Sequence, residues 1–191
     1  FALTEHLKRL DHSLAALGID DPYAPGEWRA LFAKLIRKNG GGDQSLYVQV
    51  SRGPAPRDHL FPASITPTIF MMMQPNGHSN SPTHVNAITA EDIRWSRCDI
   101  KSTSLLANVL LRNRADAKNA YEAILLRGGR VTEGTVSNVF IVENRTIKTP
   151  VLSPNILPGV TRELVIEVLD DANLTVEETD ISESQLRNAD E

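Results

Sequence analysis

A chain of 191 residues, 41% hydrophobic and 23% charged, holds enough apolar material for a real core, in one domain or two small ones. Its net charge of −4, from 20 basic and 24 acidic side chains, gives no nucleic-acid footprint. No apolar run is long enough to span a membrane, no signal-peptide pattern is read at the start, and the lone Cys98 excludes an internal disulfide framework and fits a reducing, cytoplasmic compartment.

Residues 1–18 predict an amphipathic helix. Thr4 is its expected cap, Leu7, Leu10, Leu14 and Leu17 its apolar stripe, and Gly18 its stop. Arg9 lies off the stripe and by composition is a surface charge. A second helix is expected from Pro25 to Lys38, with Trp28, Leu31, Phe32, Leu35 and Ile36 inward and Asn39 with Gly40 to Gly42 ending it. Ser45 to Ser51 alternates Leu46, Val48 and Val50 as a half-buried strand. The loop that follows, RGPAPRDHLFP, concentrates Arg52, Arg57 and His59 between prolines that limit its freedom. Preorganised cations at that spacing suit a carboxylate ligand; an ordinary surface histidine is the alternative for His59. Thr66 to Gln74 reads as a strand, with Ile69 to Met73 as core. The clearest break in composition is Pro75 to Pro82. It predicts a small N-terminal domain over 1–76, a linker over 77–83 and a larger domain over 84–191. His78 and His84 flank the break, and no other Cys or His stands at metal-ligand spacing, so no metal is expected.

The larger domain should open with a strand from His84 to Ile88 and continue extended over Asp92 to Trp95 and on to Ile100. Lys101 then falls where a helix begins, with Ser102 or Ser104 as cap and Leu105, Leu106, Val109 and Leu110 as an apolar layer beside it. A Lys at the edge of such a layer is partly desolvated, which favours the neutral amine that a carbonyl needs for a Schiff base. Arg112, Arg114 and Lys118 read as a solvated face, and Cys98 as a small buried hydrophobe. Glu133 is expected in a Gly-flanked corner between strand-like Val131 and a strand from Asn138 to Val142. A carboxylate fixed there can keep a heterocyclic nitrogen protonated, as pyridoxal phosphate requires. The ordinary reading of the same two residues is a solvated Lys and a turn carboxylate.

Asn144 and Arg145 make a turn, and Thr146 to Thr149 a short strand. ILPGVTRELVIEVL supplies a turn into a helix from about Thr161 to Asp171, whose first amides form a phosphate site. A strand over Thr175 to Asp180 and a short helix over Ser182 to Asn188, capped by Ser182, complete the chain. Strands and helices mix without strict alternation, which argues for an α+β or mixed α/β fold over a doubly wound one.

RCDIKSTSLL, VTEGTVSNVFIV and ILPGVTRELVI, in this order and spacing, resemble the pyridoxal-phosphate enzymes of fold type IV. These include D-amino acid aminotransferases, branched-chain aminotransferases and aminodeoxychorismate lyase. The resemblance covers nearly the whole chain. It implies a mixed α/β fold with a small N-terminal α/β domain and a larger C-terminal mixed domain, here incomplete at both ends. It implies pyridoxal 5′-phosphate as cofactor, Lys101 as the residue of the internal aldimine and Glu133 as the partner of the pyridine nitrogen. Arg9 of the EHLKRL segment, Val160 and Thr161 would contact the phosphate, Leu157 would pack against the ring, and Ser137 would line the cofactor site. Arg57 and His59, in an Arg-x-His pattern before Phe61-Pro62, resemble the D-amino acid aminotransferase loop that enters the neighbouring subunit and holds the substrate α-carboxylate. A homodimer with active sites at its interface follows, transaminating D-amino acids such as D-alanine or D-glutamate with 2-oxo acids. A branched-chain aminotransferase or aminodeoxychorismate lyase is the alternative within the fold. A noncatalytic ligand-binding module sharing the fold is the alternative outside that class.

Overall fold

Leu7 and Leu14 lie on one face of the first helix, α1 (Leu3–Ala16), and both are buried, as the apolar stripe requires. The structure, a computed structural model, describes residues 1–76 and 84–191. The expected linker over 77–83, His78 included, lies outside the described residues. Thr4 is not the cap of α1 but sits inside its first turn. The helix starts two residues earlier than that cap implies, at Leu3 after Ala2, whose φ of 44° is non-helical. Gly18 ends it with a positive φ of 60°, a conformation glycine adopts without cost.

The chain divides into two compact units, Leu10–Ser81 and Phe1–Arg9 with Pro82–Glu191. In the first, α2 (Pro25–Lys38) begins with a proline at its first position and a Glu27 carboxylate that accepts from the Ala24 amide at 2.8 Å. Trp28 is its fully buried anchor, edge-on to Tyr23, beside Phe32, with its indole N–H on Asp21 at 2.9 Å. Strands β1 (Gln44–Ser51) and β2 (Thr68–Pro75) pair antiparallel. Ile69 to Met73 are not core: they are half-buried, and Phe70 is exposed, because a two-stranded sheet covers only one of its faces.

The other unit holds two three-stranded sheets. In one, β3 (Ala87–Glu91) runs parallel to β4 (Glu122–Arg127) with helix α3 (Leu106–Asp116) as the crossover between them. β4 returns as β5 (Arg130–Gly134) through Gly128-Gly129, whose φ values of 58° and 74° suit a tight hairpin turn. In the other, β6 (Ile141–Glu143) and β7 (Thr146–Thr149) form a hairpin through Asn144-Arg145, both at positive φ. Helix α4 (Val160–Asp171) then crosses to β8 (Val176–Glu178), parallel to β7. The final helix, α5 (Glu183–Asn188), is capped by Ser182 in a reciprocal box with Gln185. This is the expected mixed α/β class: each sheet joins one crossover pair to one hairpin. Among the described residues, no helix is long and apolar enough to cross a membrane.

Four local expectations need correction. The chain is not extended from Asp92 to Ile100; β3 stops at Glu91 and a bent segment follows. Neither Ser102 nor Ser104 caps α3, which starts after Leu105 with no side-chain cap bond. The apolar layer faces the other way. Leu105, Leu106, Val109 and Leu110 are exposed, and α3 instead buries Leu111 and Ala115 against Ala90, Ala123 and Leu125 of the sheet. Small alanines on both sides let the crossover helix sit close, and that contact sets its rotation. The strand expected from Asn138 starts only at Ile141, and the Asn138 side chain bonds to Glu133 and to the Leu157 carbonyl.

Candidate active site

The site begins with an irregularity in the β4–β5 ladder. Ile124 pairs with Gly134 and Leu126 with Val131, so Thr132 and Glu133 together oppose the single residue Leu125. Successive residues of a regular strand point to opposite faces; a bulge breaks that rule and re-aims a side chain. Here both Thr132 and Glu133 reach the same guanidinium, that of Arg94.

Glu133 is buried, with 5% of its surface exposed. Its Oε1 accepts from Arg94 Nη1 in a short contact, and its Oε2 accepts from Asn138 Nδ2 and from the Leu157 amide, each at 3.1 Å. Burial pushes its carboxyl above the ordinary range, and the Arg94 charge and the Leu157 amide oppose that rise. Arg94 is itself held by Asp92, with Nε on Oδ1 and Nη2 on Oδ2, both at 2.8 Å, and by the Asn155 carbonyl at 3.1 Å. Burial would lower the guanidinium, but its two carboxylate partners outweigh that and raise it. Burial likewise works against the Asp92 carboxylate, and Arg94 with Arg127 overcomes it, so Asp92 lies below its usual range. Arg127 donates to Asn155 and to the Arg94 and Trp95 carbonyls, which holds the bent segment against β4.

Lys101 keeps solvent-accessible surface, yet protein atoms crowd its amine. Desolvation pushes its pKa down and the nearby Arg9 charge adds to that, while Glu133 pulls it up. The residues expected as an apolar layer beside Lys101, Leu105, Leu106, Val109 and Leu110, are themselves exposed. Arg9, half-buried on α1, donates from Nη1 to the Pro158 carbonyl at 3.1 Å. That bond brings a cation to the turn before α4, where Gly159 is the N-cap and no side chain caps the first amides. The starting amides of Val160 and Thr161 and the Arg9 guanidinium thus gather at one helix end, which suits an anion. Arg162 turns the other way, buried on the Pro150 carbonyl and Glu178. Gly159 has ordinary φ; its constraint is space, since a Cβ there would sit 2.0 Å from Asn138 Oδ1.

Asn138 Nδ2 donates to both Glu133 and the Leu157 carbonyl, fastening β5 to the LPGV turn. Ser137 is exposed, and its hydroxyl donates to Glu122 Oε2 at 3.2 Å. Glu122 also accepts from the Thr135 amide, and Asn108 of α3 donates to the Thr135 carbonyl, so the turn after β5 is held from two sides. Leu157 is half-buried. Lys101, Glu133, Arg9, Ser137, Leu157, Val160 and Thr161 all belong to one unit. Arg57 and His59 belong to the other, where both are exposed on the loop between β1 and β2. Arg52, grouped with them from the sequence, is occupied locally: it donates to the Leu17 and Gly18 carbonyls at the end of α1 and lies over Phe61.

Sequence reasoning missed Arg94, Asp92 and Asn138. Asp92 and Arg94 stand two apart, and in the bent segment the Arg94 amide donates to Asp92 Oδ1 at 3.1 Å. That spacing was the only local signal, and a partner thirty-nine positions away along the chain was not readable from it.

The model of the amino-transferase class IV family matches residues 1–191. The chain belongs to that family. A D-alanine aminotransferase of Bacillus licheniformis is 41% identical over 195 residues, covering 100% of this chain and 68% of the relative. The chain thus spans about two thirds of the length of the curated relatives it matches. Among solved structures, a branched-chain aminotransferase from Thermoproteus uzoniensis, crystallised with norvaline, superposes with a TM-score of 0.86 at 29% identity over 100% of this chain and 66% of that one. A branched-chain aminotransferase of T.th., complexed with N-(5′-phosphopyridoxyl)-L-glutamate, gives 0.84 at 26% identity, over 100% and 64%. In this chain the buried Glu133 carboxylate, the Lys101 amine and the uncapped start of α4 lie in the same unit.

Proposed function

We propose that this chain carries a pyridoxal 5′-phosphate-dependent transaminase acting between D-amino acids, D-alanine and D-glutamate among them, and 2-oxo acids. What carries the reading is the presence in one unit of the Lys101 amine, whose pKa is lowered by desolvation and the Arg9 charge, and of the buried Glu133 carboxylate. The D-alanine aminotransferase relatives, at about two fifths identity, support the substrate class. The donor set suits the cofactor: an amine for its aldehyde, a carboxylate for its ring nitrogen, and free amides with a guanidinium for its phosphate.

When bound, the cofactor supplies an electron sink for the carbanion at the substrate Cα. Lys101 Nζ would hold the cofactor at its aldehyde carbon, and as a free amine it would be the base that carries the proton from the substrate Cα to that carbon. Its lowered pKa leaves more of the neutral form for both tasks. Glu133 holds the proton on the ring nitrogen. Arg9 with the amides of Val160 and Thr161 binds the phosphate, Leu157 packs on the ring, and Ser137 lines the site from the turn after β5. Arg57 and His59 hold the substrate carboxylate from the partner subunit of a homodimer. The lone Cys98, buried and reduced, fits a cytoplasmic enzyme.

The test is amino transfer by the purified protein, supplied with cofactor, from D-alanine to 2-oxoglutarate. Pyruvate formed from D-alanine, with no transfer from L-leucine or L-isoleucine, is the expected result. Transfer from the L-branched-chain donors alone would favour the branched-chain rival. Tight cofactor binding with no transfer from either would favour a noncatalytic ligand-binding module.

A further inference from the structure

Glu133 has a limited capacity to accept hydrogen bonds, and most of it is already used. An ionised carboxylate offers about four acceptor positions on its two oxygens. Asn138 Nδ2 and the Leu157 amide fill Oε2, and Arg94 Nη1 takes one position on Oε1. One acceptor position remains, on the oxygen that Arg94 holds. A buried carboxyl left to itself gains a proton, and that proton would take the last position.

We propose that Arg94 is a positioning residue that reserves Oε1 of Glu133 for the cofactor's ring nitrogen by keeping the carboxylate charged and fixed in the β5 bulge. This inference rests on the function proposed above and adds a residue to it. Arg94 can act this way because it is over-determined. Asp92 grips Nε and Nη2, Thr132 and the Asn155 carbonyl take further contacts, and only Nη1 reaches Glu133. Its guanidinium cannot lose its proton at any working pH. The bulge matters equally, since in a regular strand Thr132 and Glu133 would point to opposite faces and could not share one guanidinium. The charged and titratable groups that bear on Glu133 are Arg94 and Asp92 from the bent segment, Lys101 beyond it, and Cys98 between them. Of these, Arg94 bonds to the carboxylate and carries a charge that does not titrate.

The test follows the Glu133 carboxyl itself, by carbon-13 NMR of glutamate-labelled protein without cofactor, assigned with Glu133→Gln. In the wild type the carboxyl is expected to be ionised at neutral pH; a protonated carboxyl there would overturn the proposal without any variant. Arg94→Met should move its titration midpoint to higher pH, and Arg94→Lys, which keeps a cation, should move it less. If Arg94→Met does not fold, Arg94→Gln serves as the uncharged comparison. A lysine-variant midpoint near that of the wild type supports charge as the agent. A lysine-variant midpoint as high as that of the uncharged variant overturns it. With cofactor bound, the acid limb of the ring-nitrogen absorbance change should shift in the same direction. Covalent attachment at Lys101 is scored separately. Its absence sinks the function proposed above, whereas normal attachment with a Glu133 titration indifferent to Arg94 sinks only this inference.

Discussion

Arg9 Nη1 donates to the Pro158 carbonyl at 3.1 Å, so a cation on the first helix is tied to the residue before the N-cap of α4. Arg9→Gln should weaken binding of pyridoxal 5′-phosphate while leaving the weaker binding of unphosphorylated pyridoxal unchanged. Loss of a charge-assisted contact costs roughly 1.5–3 kcal/mol, or about ten- to a hundred-and-fiftyfold in affinity. A titration followed by absorbance reads both ligands. Equal weakening of the two would mean that Arg9 does not meet the phosphate.

Glu133→Gln should retain cofactor and slow the proton transfer at the substrate Cα. The amide still accepts a hydrogen bond but cannot balance a positive ring. A preorganised electrostatic contact of this kind is worth a few kcal/mol, about a hundredfold or more in rate. Single-turnover kinetics with α-deuterated D-alanine isolate the step, and a rate equal to the wild type would contradict the role.

Both of these residues were legible in the sequence, and their surroundings were not. The helix over Pro25–Lys38, the strand over Thr146–Thr149 and the Ser182 cap announce themselves locally, through a proline start, turn residues and a Ser-x-x-Gln box. The rotation of α3 is set by what lies across from it, so the leucines expected as an apolar layer beside Lys101 are exposed. The β5 bulge is a property of two strands together, and so is the meeting of Arg94 with Glu133. A motif names the carboxylate; only the ladder explains why it is aimed as it is.

Lys101 predicts a pH signature in the protein without cofactor. Its folded-state pKa lies below that of the unfolded chain, through desolvation and the Arg9 charge. The unfolded chain therefore holds this proton more tightly, and the protonated amine costs the fold stability at neutral pH. That cost fades as pH rises toward the ordinary lysine value of about 10.4. Lys101→Met should melt at a higher temperature than the wild type at neutral pH, with the gap closing as pH rises toward about 10.4. Melting curves by circular dichroism across that range test it; a gap that widens with pH would contradict the desolvated state.

The loop that carries Arg57 and His59 tests the proposed substrate class. Arg57→Ala and His59→Ala should raise KM for D-alanine roughly ten- to a hundred-and-fiftyfold and leave cofactor absorbance intact. Mixed dimers of Arg57→Ala and Lys101→Ala chains should regain one working site, since an intact Lys101 meets an intact Arg57 from the other chain. Inactive mixtures, with heterodimers demonstrated, would refute the trans arrangement. Loop variants that process D-alanine normally would move the branched-chain rival ahead.

The most direct test of the whole account is borohydride reduction of the cofactor-loaded protein, followed by mass mapping of its peptides. The account predicts a pyridoxyl phosphate adduct on the peptide containing Lys101, loss of the visible absorption band, and neither result in Lys101→Ala. An adduct on another lysine, or a Lys101→Ala protein that keeps a borohydride-reducible band, would contradict it.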